Sequence, residues 1–183
     1  MQLLSHILST PHTTLPRAQK HTRDETGQYW YQLHRTDGPA VETIDGTRKW
    51  YYEGKLHRVG GPAFETPFGT CIWYNHGVIH RTDGPAVQYG DGTQMWYEHG
   101  LLHRIDGPSI IRPDGSQQWF RHGKLHRENG PAFVKGDMVA YYCDGFMHRT
   151  DGPALIWANG TVEWYLHGME CVSVSLEPPK EST

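Results

Sequence analysis

The sequence predicts an all-β protein, an elongated, twisted antiparallel array of about six β-hairpin repeats of 23 residues. Three observations carry that expectation. First, His-Arg recurs at His34-Arg35, His57-Arg58, His80-Arg81, His103-Arg104, His126-Arg127 and His148-Arg149, in steps of 23, 23, 23, 23 and 22 residues. Second, Gly-Pro and then Ala or Ser follow each pair, as in Asp37-Gly38-Pro39-Ala40 and Asp106-Gly107-Pro108-Ser109. Third, Trp50, Trp73, Trp96, Trp119 and Trp164 hold one fixed place in the period, with Tyr141 in the short fifth unit, and Tyr51, Tyr74, Tyr97, Phe120, Tyr142 and Tyr165 come next. Near-copies of one short unit mean a stacked repeat architecture, in which no unit buries its apolar face alone.

Each element of the third copy, read in chain order, has its own reason. Ala86-Val87-Gln88-Tyr89 is a short extended stretch, and Asp91-Gly92-Thr93 supplies a tight turn. Gln94-Met95-Trp96-Tyr97-Glu98 is a second extended stretch, ended by Gly100. Two short apolar runs around Asp-Gly are a strong hairpin signal. The turn recurs as Asp45-Gly46, Asp114-Gly115 and Asn159-Gly160, and shortens to Gly136-Asp137 in unit five. Pro and several turn formers in each period leave no window for a stable helix. Two strands per unit give about twelve strands at ~4.8 Å, a sheet ~60 Å long that must twist. Adjacent residues on one strand face opposite ways, so the Trp and the Tyr/Phe columns are expected as ladders on opposite faces.

Two apolar columns should pack with one aromatic ladder into a thin core. One is Val41, Phe64, Val87, Ile110, Phe133 and Leu155; the other is Leu33, Leu56, Ile79, Leu102, Leu125 and Met147. The array spans 27–170. Residues 1–26 form a non-repeat cap, in which Leu3, Leu4, Ile7 and Leu8 suit a short amphipathic turn or helix. Residues 27–33 read as a second strand arriving without its hairpin partner, and 171–183 as a last strand and a flexible tail.

A net charge of −3 argues against a general nucleic-acid surface, and no duplex nucleic acid is expected as partner. Gly (21) and Pro (12) fall at fixed repeat positions and read as turn chemistry. Cys71, Cys143 and Cys171 occupy different repeat positions, form no spaced motif, and read as free thiols of a reducing cytosol. The N-terminus has no cationic opening, and no run approaches the ~20 apolar residues of a membrane span. A soluble, cytoplasmic protein is expected.

The pattern Asp-Gly-Thr-x-x-Trp-Tyr-x-x-Gly-x-Leu-His-Arg resembles MORN repeats and the MORN-like repeats of bacterial proteins. The resemblance covers residues 27 to about 170. The His-Arg-x-Asp-Gly-Pro-Ala variant looks like one met in uncharacterised bacterial and phage proteins. It implies hairpin units, and scaffolding, protein contact or lipid contact as function. The chain is also similar to choline- and glucan-binding cell-wall repeats, which are exported, whereas no export signal stands here.

Each repeated column has a functional and a structural reading. The Arg column (Arg35, Arg58, Arg81, Arg104, Arg127, Arg149) could bind phosphate or carboxylate groups, or stack on a neighbouring aromatic and pair with the turn Asp. The His column could bond to backbone in the junction turn. A second column (His76, His99, His122, His167) makes His-Gly-x-x-His, whose turn geometry speaks against shared zinc; two His ladders would still confer sensitivity to mild acid. Trp could be core, or a stacking surface for rings or a partner. No nucleophile elbow or phosphate loop stands out. The expectation is a non-enzymatic binding protein with no cofactor, metal or catalytic residue. Its partner would be a protein, with a phosphate-bearing nucleotide or a glycan as the alternative ligand. The candidate binding residues are Arg81, Trp96, Arg104 and Trp119 of the regular inner units, with His80, His103, Tyr97 and Phe120 beside them.

Overall fold

The computed structural model describes residues 19–23 and 29–174. The chain is all-β, an array of antiparallel hairpin repeats. It divides into two compact units, Met1–Asp91 and Gly92–Thr183. Among the described residues no helix is long and apolar enough to cross a membrane. The apolar residues 3–8 lie outside the described residues.

In the first unit the sheet runs Val87–Gln88, Cys71–Ile72, Phe64–Glu65, Arg48–Lys49, Val41–Glu42, each antiparallel to the next. In the second it runs Gln94–Met95, Ile110–Ile111, Gln117–Gln118, Phe133–Lys135, Met138–Ala140, Leu155–Ile156, Val162–Leu166, Met169–Val174. Most of these strands are two residues long, because each unit uses only the pair of residues on either side of its Asp-Gly turn. That turn carries Gly in the left-handed region, as at Gly46 (φ 85°) and Gly115 (φ 81°). The Gly46 N–H donates to the Thr43 carbonyl and the Thr43 N–H to the Thr47 carbonyl. This is the three-residue loop in which a type I turn ends on a left-handed Gly.

The second extended stretch of each unit is not one strand, contrary to the two-strand expectation. It breaks at the Trp. Gln94–Met95 stays in the sheet, whereas Tyr97–Glu98 leaves it and pairs with Leu101–Leu102 in a separate two-stranded ladder. Tyr51–Tyr52 with Lys55–Leu56, Tyr74–Asn75 with Val78–Ile79, Phe120–Arg121 with Lys124–Leu125, and Tyr142–Cys143 with Phe146–Met147 repeat it. The backbone of the Trp is the corner. In the second unit the Trp96 N–H donates to the Ser109 carbonyl, and the Trp96 carbonyl accepts from the His103 N–H. Trp50 and Trp119 make the same two bonds, to Ala63 and His57 and to Ala132 and His126. These aromatic pairs therefore do not sit on one strand as two opposed ladders. Val162–Leu166 is the exception: it runs through Trp164 and Tyr165 unbroken, with a register shift between them where it pairs Met169–Val174.

The small ladders close on two-residue loops with φ positive at both residues: His76 (48°) and Gly77 (87°), His122 (47°) and Gly123 (79°). That is the type I′ turn, whose twist suits paired strands. At the N-terminal side, Tyr29–Leu33 arrives with a partner after all, pairing along its length with Gln19–Arg23.

The deepest positions are the small residues after Gly-Pro. Ala40, Ala63, Ala86, Ser109, Ala132 and Ala154 are all 0% exposed. Val87, Ile110 and Leu155 beside them are buried too. Trp50 is buried, but Trp96 and Trp119 are only half-buried. The core thus centres on an Ala/Ser column, with Trp50 buried alongside it and Trp96 and Trp119 more exposed.

Candidate functional site

Each Arg of the repeat is held on several sides. The Arg104 guanidinium carbon lies 4.0 Å from the ring centre of Trp96. Its Nε donates to Asp106 at 2.9 Å and its Nη1 to the Pro108 carbonyl at 3.3 Å. Arg81 lies over Trp73 at 4.0 Å and donates to Asp83 (2.7 Å) and the Pro85 carbonyl (3.2 Å). Arg127 lies over Trp119, and Arg149 over Tyr141, both at 4.0 Å. The Gly of Gly-Pro is the other wall. A Cβ added at Gly84 or Gly107 would stand 3.0 or 3.1 Å from the guanidinium carbon of Arg81 or Arg104. The guanidinium is clamped between an aromatic face and a bare Cα, and only Gly leaves it room.

Arg58 shows how the clamp adapts. Gly60 stands where the Asp would be, and Arg58 instead donates to Glu65 at 2.8 Å, which Arg48 also holds at 2.9 Å. In the clamps with Asp, the Arg hydrogen bond holds the carboxyls of Asp37, Asp83, Asp106 and Asp151 below the usual carboxylate range.

The first His of each junction serves the small turn. His57 Nδ1 accepts the His76 N–H at 3.3 Å, and the two rings lie with their centres 4.2 Å apart, tilted by 31°. His103 with His122 and His148 with His167 repeat the bond at 3.2 Å and stack at 4.4 Å. A two-residue loop leaves that N–H without a strand partner, and the imidazole supplies the acceptor. His34 does the same for Glu53 at 3.1 Å. Burial, then the neighbouring His76, push the pKa of His57 down.

Among the candidate binding residues, His103, Arg104, Trp119 and Phe120 line one groove of about 750 Å³ in the second unit, with Ile105, Arg121, Arg127 and Glu128. Trp96 lies beneath Arg104, and Tyr97 pairs with Leu102. His80 and Arg81 belong to the first unit, where the His80 N–H donates to the Trp73 carbonyl. The first unit has its own groove of about 790 Å³, lined by Arg35, Asp37, Trp50, Tyr52, His57 and Val59 among others. A third, of about 430 Å³, is lined by His126, Glu128, Tyr141, Cys143, His148 and Arg149 among others.

Two features escaped the sequence reading. The Gly of Gly-Pro was read as turn chemistry, although its constancy also reflects the Arg above it. The Cys143-Asp144 step carries a second such signal, because it replaces the polar residue and His found at Asn75-His76 and Arg121-His122. The donor atoms of Asp144, Cys143 and His126 lie within 4.8 Å of one another.

Compared with protein-family models, the chain matches none, and a comparison with curated proteins finds no match.

Proposed function

We propose that the chain is a non-enzymatic binding protein that engages a partner protein through the rims of its repeat grooves. One observation carries this reading: what the units share is used by the fold, and what differs between them stands exposed on the rims. The third residue of the His-Arg-x loop is Thr36, Val59, Thr82, Ile105, Glu128 or Thr150. Val59 is 87% and Ile105 92% exposed, and each lines a groove beside Arg-aromatic stacks. Single exposed apolar residues are ordinary on a protein surface. Set beside Arg, Trp and Tyr, they complete the side-chain chemistry that dominates protein interfaces.

The nucleotide and glycan readings draw less support. Asp and a Pro carbonyl already occupy the Nε and one Nη1 donor of Arg81 and of Arg104, which leaves a phosphate only the remaining donors. A sugar ring would find a guanidinium already over one face of Trp73, Trp96 and Trp119. Inhibition of a host or defence enzyme, as part of a phage or bacterial accessory role, rests on the MORN-like resemblance alone.

The test uses Val59→Thr and Ile105→Thr, which import the residue of sibling units and so spare the fold. Immobilised wild-type chain and each variant are compared for proteins captured from lysate, alongside melting curves. Loss of a captured protein in a variant that melts normally is the expected result. Capture that is indifferent to both variants, yet abolished by salt or by free nucleotide, would move the assignment to the ligand reading.

A further inference from the structure

We propose that His126, Cys143 and Asp144 form a binding site for a transition-metal ion of the zinc class, with Glu128 supporting it from behind. The repeats are their own controls. Where three other units set a second His ring against the junction His, and the first unit has Tyr52-Glu53, this unit alone combines an acid, Asp144, with Cys143 before it and Glu128 at the variable loop position. Three departures from the repeat pattern converge on one imidazole.

That imidazole is badly served by its protein neighbours. Its Nδ1 accepts the Asp144 N–H at 3.1 Å, as in the other units, yet an Asp144 carboxylate oxygen also stands 3.1 Å away. A lone pair on Nδ1 suits the N–H and opposes the carboxylate; a proton there suits the carboxylate and opposes the N–H. Neither form satisfies both. A cation placed between nitrogen and carboxylate removes their opposition, because both then act as electron-pair donors to it, and the Asp144 N–H gives up its acceptor in exchange.

At the other end of the ring, Nε2 is buried and makes no hydrogen bond. The side chain is 11% exposed, and the nearest carboxylate oxygen, of Glu128, is 3.8 Å from Nε2. A buried N–H without an acceptor costs about 1–3 kcal/mol. Metal-bound His residues commonly give their second N–H to a carboxylate, and Glu128, with an oxygen 3.8 Å from Nε2, is the carboxylate placed to accept it. Its present partner, Arg121 at 3.0 Å, is an exposed pairing.

The donor set selects the ion. One imidazole nitrogen, one thiol sulfur and one carboxylate oxygen suit zinc and its neighbours, whereas magnesium and calcium take oxygen. Donor atoms around tetrahedral zinc stand about 3.3–3.8 Å apart, given bonds of about 2.0–2.3 Å. The present spread of up to 4.8 Å closes by turning the Cys143 and Asp144 side chains, which lie at the hairpin end. Binding releases the thiol proton and moves Nδ1 from the Asp144 N–H to the metal. His126 and Cys143 both line the groove of about 430 Å³, so a fourth position faces solvent.

The probe is cobalt(II), followed by zinc competition. Full-length chain should bind about one equivalent of cobalt and show thiolate-to-cobalt absorption in the near ultraviolet, which zinc abolishes. Cys143→Asn, which imports the residue of a sibling unit, should remove that band, while Cys71→Ser and Cys171→Ser keep it. Glu128→Thr, also a sibling residue, should weaken zinc binding about 10–100-fold without changing the band. A band that survives Cys143→Asn, or no stoichiometric cobalt uptake by correctly melting wild type, overturns the proposal.

Discussion

The Arg104 guanidinium carbon lies 4.0 Å from the ring centre of the Trp96 indole while its Nε donates to Asp106, so one side chain joins the end of one repeat to the start of the next. The same stacking joins Arg127 to Trp119 and Arg149 to Tyr141, and, in the first unit, Arg58 to Trp50 and Arg81 to Trp73; the Nε–Asp bond repeats at Arg149 and Arg81. Stability in such an array comes from neighbour contacts, and this clamp is the one most visibly repeated.

The Gly wall of the clamp predicts a coupled effect. Gly84→Ala places a methyl 3.0 Å from the Arg81 guanidinium carbon and should cost about 1–3 kcal/mol by overpacking. In an Arg81→Ala background the same substitution should cost much less, since nothing remains to be displaced. Denaturant titration of the four proteins measures this. Equal cost in both backgrounds would place the Gly requirement in the backbone instead.

The buried Ala/Ser column predicts tolerance by size. Ala132→Ser should change stability by less than about 1 kcal/mol, because Ser109 fills the equivalent place with its Oγ bonded to the Phe120 N–H and carbonyl. Ala132→Leu should cost about 1–3 kcal/mol or more. Melting midpoints decide, and a neutral Leu variant would show the column to be slack.

The repeat period, the all-β class and the Asp-Gly hairpins were legible because turn residues mark them directly. The corner at the Trp was not. Alternation along Gln94-Met95-Trp96-Tyr97-Glu98 is the same whether the stretch is one strand or two. Only the partners of the Trp96 N–H and carbonyl, supplied by the following repeat, decide it. The Arg column was legible as either ligand-binding or structural, since Arg serves both; the Gly three residues on held the clue. Ala86 and Ala132 carry no distinctive chemistry in sequence, yet they are fully buried whereas Trp96 and Trp119 are not. The Cys143-Asp144 pair carries no spacing motif, because its His partner comes from the preceding junction.

Acid should weaken the array in two stages. The folded His57 has a pKa below its ordinary value, from burial and from the facing His76; Tyr52 also packs on it. The unfolded chain therefore binds more protons, and this contribution, present above about pH 6.5, is lost as pH falls through the lower folded value. The Arg-bonded Asp37, Asp83, Asp106 and Asp151 also have depressed values. Their contribution, present above about pH 4, is lost below it. Melting midpoints from pH 7 to pH 3 should fall first below pH 6.5 and again below pH 4. His57→Gln, which keeps an acceptor without a titrating ring, should soften the first fall. A flat midpoint from pH 7 to pH 5 would contradict the first stage.

The central claim is that the Arg-aromatic clamp holds successive repeats together. Its most direct test is a double-mutant cycle on stability with Arg104→Ala, Trp96→Ala and the pair, free of any partner. With the Arg104 side chain 23% exposed, a coupling of about 1–2 kcal/mol is predicted, toward the desolvated end of such pairs. Additive losses, with coupling indistinguishable from zero, would contradict the account and return Arg104 and Trp96 to the surface as residues kept for a ligand.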